Sequence, residues 1–241
     1  MPSPLTSCVT LLAVVWVNSA YGQDAPANHV LPITLSADGR YGVTVLPDEY
    51  DEKADGSYEP VKNPENAIVE IKTGRVIGTI DGDVAFEHMN HDEIAPTCWS
   101  ADDSTLLWQV DGKWGFATEI LISLKNGKIV RQVDVLTLLQ QEILKRTRAA
   151  RPKDYAAIKA NSGDFGSWFK DGFAIDCVLD AQSDKLTFPL LAHVFLTSNT
   201  KDIEGMLNLD SRMTAEVSQD GTIKVKDFHL GQDPPAREWG H

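Results

Sequence analysis

The sequence predicts a mainly β protein of the α+β class: antiparallel strands in two blade-like hairpin modules, a helical insertion and a C-terminal antiparallel meander. Three observations predict it. Short runs rich in β-branched residues lie between turn signals, a degenerate repeat links two of these runs, and only one stretch of the chain has helical periodicity. The resulting parts are a signal peptide at 1–22, an N-terminal β region at 23–133, the helical insertion at 134–163 and a C-terminal β region at 164–241.

The first 22 residues are typical of a cleavable secretory signal. They contain no Lys, Arg, Asp or Glu, and residues 8–17 form a nearly unbroken apolar run. Ten residues rise about 15 Å as a helix, which is too short to span a bilayer. Ala20 and Gly22 supply small residues at the spacing that signal peptidase requires. We therefore expect cleavage before Gln23 and a secreted or periplasmic protein.

The charge of the chain excludes one class of partner. The net charge is −13, and all charged residues lie beyond residue 22, so the mature protein would repel a phosphate backbone. Nucleic acid is therefore not an expected partner. No later stretch reaches 18 consecutive apolar residues, so no membrane span is expected in the mature chain.

Two cysteines, Cys98 and Cys177, remain after the predicted cleavage. In an exported chain such a pair is compatible with a disulfide. Closing a loop of this length would stabilise the fold by about 4–5 kcal/mol in the chain-entropy model. Two separate buried thiols are the alternative, because sequence does not show whether the two residues come within bonding distance.

The repeat consists of two short motifs that recur in the same order. SADGR at 36–40 parallels SADDS at 100–104, and AIVEIKTGRVI at 67–77 parallels ILISLKNGKIV at 120–130. The two motifs recur at offsets of 64 and 53 residues, so the first copy is longer by about 11 residues, which fit within the acidic segment 47–65. Each copy predicts a turn, two strands, a Gly-containing hairpin and a third strand.

These copies resemble blades of a β-propeller, similar to WD-repeat and periplasmic Tol-type propellers. In such blades a Ser-x-Asp-Gly turn precedes a strand and a Lys-x-Gly hairpin closes the blade. Two blades cannot close a ring, because four is the usual minimum. The resemblance therefore implies local strand order only and assigns no functional residue.

The middle of the chain predicts a helix from an Asp134 cap to about Arg148. Leu136, Leu139 and Ile143 recur at helical spacing, which places them on one face. A second, shorter helix is expected to begin at Pro152 and to stop before residue 163.

Beyond the helices, β-structure is expected to resume. Residues 173–180, 186–197, 207–217 and 222–228 are rich in β-formers, and the third run alternates apolar and polar residues. Four consecutive strands joined by short connections form an antiparallel meander. One face of it should be buried.

The densest group of metal-ligand side chains lies around His88 and His91. On a helix the two imidazoles would share a face and could bind zinc or copper. No HExxH or HxH motif accompanies them, and no third ligand is indicated, so a polar surface turn is the simpler interpretation. No cofactor is predicted.

Two other clusters have a structural interpretation beside the functional one. The acidic segment 48–59 contains calcium-type ligands, but Lys62 stands where an EF-hand loop needs its bidentate Glu. Trp99, Trp108 and Trp114 could form a stacking platform, yet the alternation around Trp108 places it in the core. We therefore expect a solvated acidic loop and a buried Trp108.

A basic run stands out on this acidic chain: Lys145, Arg146, Arg148, Arg151 and Lys153. It could bind an anionic partner or pair with the acidic segment. The helix dipole is by itself a sufficient reason for cations at a helix C-terminus, because they interact favourably with its negative end.

No catalytic motif is evident, since the sequence has no GxSxG elbow, Walker A or GxGxxG loop. The leading expectation is a non-catalytic secreted or periplasmic binding protein. The alternative is a secreted hydrolase, metal-dependent through His88 and His91.

Overall fold

The computed structural model describes most of the chain in ten ranges. They are residues 30–46, 49–52, 58–62, 65–82, 93–94, 98–112, 115–162, 170–181, 185–198 and 209–231. The fold is mainly β, with antiparallel sheets and two helices, so the predicted fold class is confirmed.

The regular elements follow one another along the chain with these bounds. They are β1 (Tyr41–Leu46), β2 (Glu49–Glu52), β3 (Tyr58–Lys62), β4 (Glu65–Glu70), β5 (Arg75–Thr79), β6 (Glu93–Ile94), β7 (Cys98–Trp99), β8 (Thr105–Gly112), β9 (Gly115–Lys125), β10 (Lys128–Asp134), α1 (Val135–Ala150), α2 (Pro152–Ala160), β11 (Phe173–Leu179), β12 (Leu190–Ser198), β13 (Ser211–Val217) and β14 (Ile223–Leu230).

The first sheet has the strand order β1-β4-β5. The hairpin β2-β3 lies between β1 and β4 in the chain, within the segment that was expected to be an acidic loop. Tyr41, Val43 and Ile68 are buried and belong to one apolar cluster with the second sheet. This shared cluster joins the first sheet to the second.

The second sheet is covered on both faces. Its order is β10-β9-β8-β6, with β7 also paired to β8. Leu106 and Trp108 lie in the cluster shared with the first sheet, whereas Leu107 and Leu121 lie in the cluster shared with the helices and the last sheet. Double coverage explains why Leu106, Leu107 and Trp108, whose side chains alternate between the two faces, are all apolar and buried. The expected burial of Trp108 is confirmed.

The first helix begins where the sequence predicts. The Asp134 carboxylate accepts a hydrogen bond from the Thr137 N–H at 2.8 Å, which caps α1. Leu136, Leu139 and Ile143 are all buried, so the predicted apolar face is confirmed. The second predicted helix is α2. Arg151 separates it from α1, and it begins at Pro152, as predicted.

The third sheet is the predicted meander, with the order β11-β12-β13-β14 and antiparallel pairing throughout. Burial alternates along β13, as its sequence pattern predicts. Two boundaries were wrong: β12 begins at Leu190 rather than at Leu186, and β13 begins at Ser211 rather than at 207. Leu186 instead bridges to Ser100, and its N–H donates to the Trp99 carbonyl at 2.8 Å.

The two repeat copies share their turn geometry. The Ser36 hydroxyl donates to Asp38 at 2.9 Å and accepts from the Tyr41 N–H at 3.0 Å. In the second copy, the Ser100 hydroxyl donates to Asp102 at 2.7 Å and accepts from the N–H of the first β8 residue at 2.9 Å. Both copies also pair their three strands in the same order, so the predicted local strand order is confirmed.

The copies differ in burial most clearly at Ile71 and Leu124. Ile68 and Leu121 are both buried, and so is Leu124, but Ile71 is 38% exposed. The expectation that Ile71 and Leu124 occupy equivalent buried sites was therefore wrong. The reason is strand length: β4 ends before Ile71, which lies in the turn against Gly42, whereas β9 continues past Leu124.

A complete propeller is not seen. The described residues form three larger sheets, stacked through two apolar clusters, and show no closed ring of blades.

Candidate functional site

The surface that best fits a binding site follows α1, where two grooves flank the helix. We name them the α1–β14 groove and the α1–α2 groove. Both are lined in part by Gln141 and Lys145, two exposed side chains of α1, so the two grooves adjoin the same stretch of the helix.

The α1–β14 groove has a volume of about 560 Å³. Ile223 and Val225 of β14 line one side of it, and Leu138, Lys145 and Arg146 of α1 line the other. Leu138 is 39% exposed. The groove exists because α1 packs over the inner face of the third sheet and leaves the residues of β14 only half-buried.

The α1–α2 groove is smaller, about 270 Å³, and more strongly cationic. Lys145, Arg148 and Lys170 line it, and the buried Leu144 and Tyr155 contribute to its wall. Within the described part of the chain, Arg148 and Lys170 make no ion pair with an acidic side chain. Arg148 is therefore available to a ligand, whereas the charge of Lys170 also acts on the Asp171 carboxylate that lines the same groove.

Glu142 anchors two of the cations. Its carboxylate accepts from Lys145 at 3.1 Å and from Arg146 at 2.8 Å. Partial burial opposes ionisation of Glu142, but the hydrogen bonds from Lys145 and Arg146 outweigh it and lower its pKa. Two cations on one carboxylate leave an excess of positive charge beside the α1–β14 groove.

A second hydrogen-bonded group supports the α1–α2 groove. The Tyr155 hydroxyl donates to Asp171 at 2.5 Å, and Lys159 pairs with the other oxygen of that carboxylate at 2.6 Å. Burial, together with the neighbouring Asp171 carboxylate, raises the pKa of Tyr155. Partial burial works against the Asp171 charge, but hydrogen bonds from Lys159 and Tyr155 lower its pKa. The phenol therefore stays protonated and fixes α2 to the segment before β11.

The basic run predicted from the sequence divides in the structure. Lys145, Arg146 and Arg148 line the grooves, whereas Arg151 pairs with Asp154 on α2. Lys153 is exposed and lines neither groove. The helix-dipole interpretation accounts for Arg148, which lies in the last turn of α1.

Several other candidates lie outside the described residues or inside the core. His88, His91 and Trp114 lie outside the described residues. Trp99 is buried, stacks on Tyr41 with ring centroids 6.0 Å apart, and donates its indole N–H to the Thr34 carbonyl at 3.0 Å. Trp99 and Trp108 are thus core residues, and no stacking platform is formed by them.

Cys98 and Cys177 are free thiols in this structure, buried in one apolar cluster. The Cys98 thiol lies 3.5 Å from the Ala181 carbonyl. Burial, with the nearby carboxylates of Glu119 and Asp176, raises the pKa of Cys177, which keeps this thiol unreactive. A disulfide between the two stays a prediction.

Sequence reasoning missed part of this surface. Lys170, Tyr155 and Asp171 join the grooves from a loop and from α2, and only the packing of α2 against α1 brings them together. Within the described ranges, no three His, Cys, Asp or Glu side chains are placed to share a metal ion. Among the helices in the described residues, none is both long enough and apolar enough to cross a bilayer.

Fold and surface together define a mainly antiparallel β protein whose helical insertion carries a cationic, partly apolar groove. No protein-family model matches the chain, and no curated protein or solved structure is significantly similar to it.

Proposed function

We propose that the protein is exported and acts by binding a partner rather than by catalysis, with the grooved side of α1 as its contact surface. The observation that carries the proposal is the pair of adjoining grooves beside α1, in which Arg148 forms no ion pair with a described acidic residue and Lys145 and Arg146 share the single carboxylate of Glu142. Concave surfaces with apolar walls and a few placed charges are typical of binding sites. Export is supported by the pattern of residues 1–22.

A first experiment tests export. We expect the protein recovered outside the producing cytoplasm to begin at Gln23, as measured by intact mass. Recovery of the chain with residues 1–22 still attached would contradict this part of the proposal.

A second experiment tests binding with a panel of probes. Backbone amide shifts of α1 are followed while the mature protein is titrated with inorganic phosphate and with alternating heptapeptides of Glu and Val, Lys and Val, or Ser and Val. At least one probe should shift the α1 amides without being consumed. The proposal fails if none does, or if purified protein hydrolyses model esters, phosphates or glycosides in a metal-dependent way.

A further inference from the structure

The α1 wall of the α1–α2 groove carries a row of hydrogen-bond donors. Gln141, Lys145 and Arg148 line the groove at helical spacing, which places the three side chains on one face of α1. In the described part of the chain, the side chains of Gln141 and Arg148 make no hydrogen bond or ion pair. An amide donates through its NH₂ group, and a guanidinium presents a planar fork of donors that matches anionic oxygens. This face of α1 therefore offers unused donors to an anion.

A further donor, Lys170, lines the same groove from the segment before β11. Its neighbour Asp171 lines the groove as well, but both oxygens of that carboxylate are occupied. One accepts from the Tyr155 hydroxyl and the other pairs with the Lys159 ammonium. Lys170 acts on this carboxylate only through its charge, whereas Lys159 contacts it directly. The Lys170 ammonium is therefore left with donors that a ligand can use.

The local charge around the α1–α2 groove is positive. Among the described residues, five cations lie in or beside it and two carboxylates oppose them, which leaves an excess of three positive charges: the cations are Lys145, Arg146, Arg148, Lys159 and Lys170, and the carboxylates are Glu142 and Asp171. The C-terminal carbonyls of α1 contribute roughly half a negative charge, which does not cancel this excess. Salt screens charges beyond about 8 Å, so the local excess acts on a bound ion more strongly than the net charge of −13 does.

From this convergence of donors we infer that the α1–α2 groove binds the phosphomonoester group of a small molecule. Such a group carries about −1.5 to −2 charges at pH 7 and three strong acceptor oxygens, which match the donors of Gln141, Arg148 and Lys170. Leu144 and Tyr155 line the groove beside these donors and contact the apolar body of the ligand. The volume of about 270 Å³ limits that body to a small one. This inference rests on the proposed binding function and names its ligand class.

The test measures the affinity of phenyl phosphate for the mature protein by calorimetric titration. The double variant Arg148→Gln with Lys170→Gln should raise Kd by at least about tenfold, because two charge-assisted hydrogen bonds are lost. Lys153→Gln is the matched control: it removes an exposed cation of α2 that lines neither groove, and it should leave Kd unchanged. All three side chains are exposed, so the variants should fold, and thermal melts establish that they do.

Changes of the probe identify the chemistry that is recognised. Benzoate keeps the ring but carries one negative charge, and it should bind at least about tenfold more weakly than phenyl phosphate. Inorganic phosphate lacks the ring and should also bind more weakly, because it leaves Leu144 and Tyr155 uncovered. Equal or tighter binding of benzoate or of inorganic phosphate overturns the inference, and so does an unchanged Kd in the double variant. A phosphotyrosine heptapeptide that binds more than about tenfold tighter than phenyl phosphate would make a phosphorylated protein the ligand and overturn the small-molecule assignment.

Amide shifts locate the site and separate this inference from the proposed function. Phenyl phosphate should shift the amides of α1 and of Lys170 and leave those of β14 unchanged, whereas shifts confined to β14 overturn the inference. If phenyl phosphate fails to bind while a peptide of the panel shifts the α1 amides, the inference fails and the binding function stands. If no probe shifts them, both fail.

Discussion

At the scale of single residues, one contact between the two repeat copies joins two carboxyl groups, those of Asp38 and Asp103. Asp103, only 5% exposed, has a carboxyl oxygen without a hydrogen-bond partner in the described part of the chain. Burial raises the pKa of Asp103, and contact with the Asp38 carboxylate raises it further. The Arg40 backbone N–H, which donates to Asp38 at 2.8 Å, lowers the pKa of that partner. Asp38 therefore holds the charge, and Asp103 is the group that resists ionisation.

We predict that Asp103→Asn stabilises the protein at pH 7. Because the pKa of Asp103 is raised in the folded state, its ionisation costs stability as the pH rises through that pKa. An amide keeps an acceptor, gains a donor for Asp38 and tolerates the positive φ of 53° at this position. The gain should be roughly 0.5–1.5 kcal/mol, the value of one hydrogen bond.

Urea unfolding across pH checks this prediction. The advantage of the Asp103→Asn variant should shrink as the pH falls and the wild-type carboxyl takes up its proton. Asp81→Asn, at an exposed carboxylate, is the control and should show no such trend. A gain that is the same at all pH values would mean that ionisation of Asp103 is not its cause.

At the scale of elements, the Ser-x-Asp turn occurs three times. The third lies before β14, where the Ser218 hydroxyl donates to the Asp220 carboxylate at 2.5 Å. Side-chain oxygens of Ser and Asp replace backbone partners in such turns. The Asp220 pKa is lowered to about 2, chiefly by the Ser218 hydroxyl and the Thr222 N–H. The turns differ in setting: Ser100 is buried, whereas the hydroxyl bonds of Ser218 are exposed.

We predict that Ser100→Ala costs about 1–2 kcal/mol of unfolding free energy, because it leaves the buried Thr105 N–H without its acceptor. Ser218→Ala removes the same hydroxyl where water can replace it, and should cost less than about 0.5 kcal/mol. Chemical denaturation of the two variants makes the comparison. Equal losses would show that burial does not set the strength of this turn.

At the scale of the whole molecule, the second sheet is the layer on which the other two depend. Its face with Leu106 and Trp108 packs on the first sheet, and its face with Leu107 and Leu121 packs on α1 and the third sheet. The edges are joined as well, since the Gln132 side-chain amide donates to the Thr79 carbonyl at 3.0 Å and accepts from the Asp81 N–H at 2.9 Å. Loss of packing in this layer should therefore lower the unfolding free energy of the whole fold.

We predict that Leu121→Ala destabilises the protein by roughly 2–5 kcal/mol, the range for truncating a fully buried leucine. Leu138→Ala is the matched control, because Leu138 is half-exposed in the α1–β14 groove and should change stability by no more than about 0.5 kcal/mol. Calorimetric unfolding of both variants gives the difference. A small loss at Leu121 would contradict its place in the shared core.

Features set by neighbours in the chain were predictable from the sequence alone. The Asp134 cap, the buried stripe of α1 and the alternation along β13 each depend on local geometry, and the structure has all three. Short-range hydrogen bonds and side-chain periodicity are encoded within a few residues, which is why these predictions were correct.

Only the tertiary structure decided which surfaces meet. The contact of Asp103 with Asp38, the exposure of Ile71 and the two grooves beside α1 all depend on how sheets and helices stack over long sequence separations. The pattern of α1 determined that one face is buried, but not that the adjacent side would leave Leu138, Ile223 and Val225 partly exposed beside Lys145 and Arg146. Periodicity specifies that one face of an element is buried. Packing between elements that are distant in the sequence decides which surface covers that face and where the contact ends.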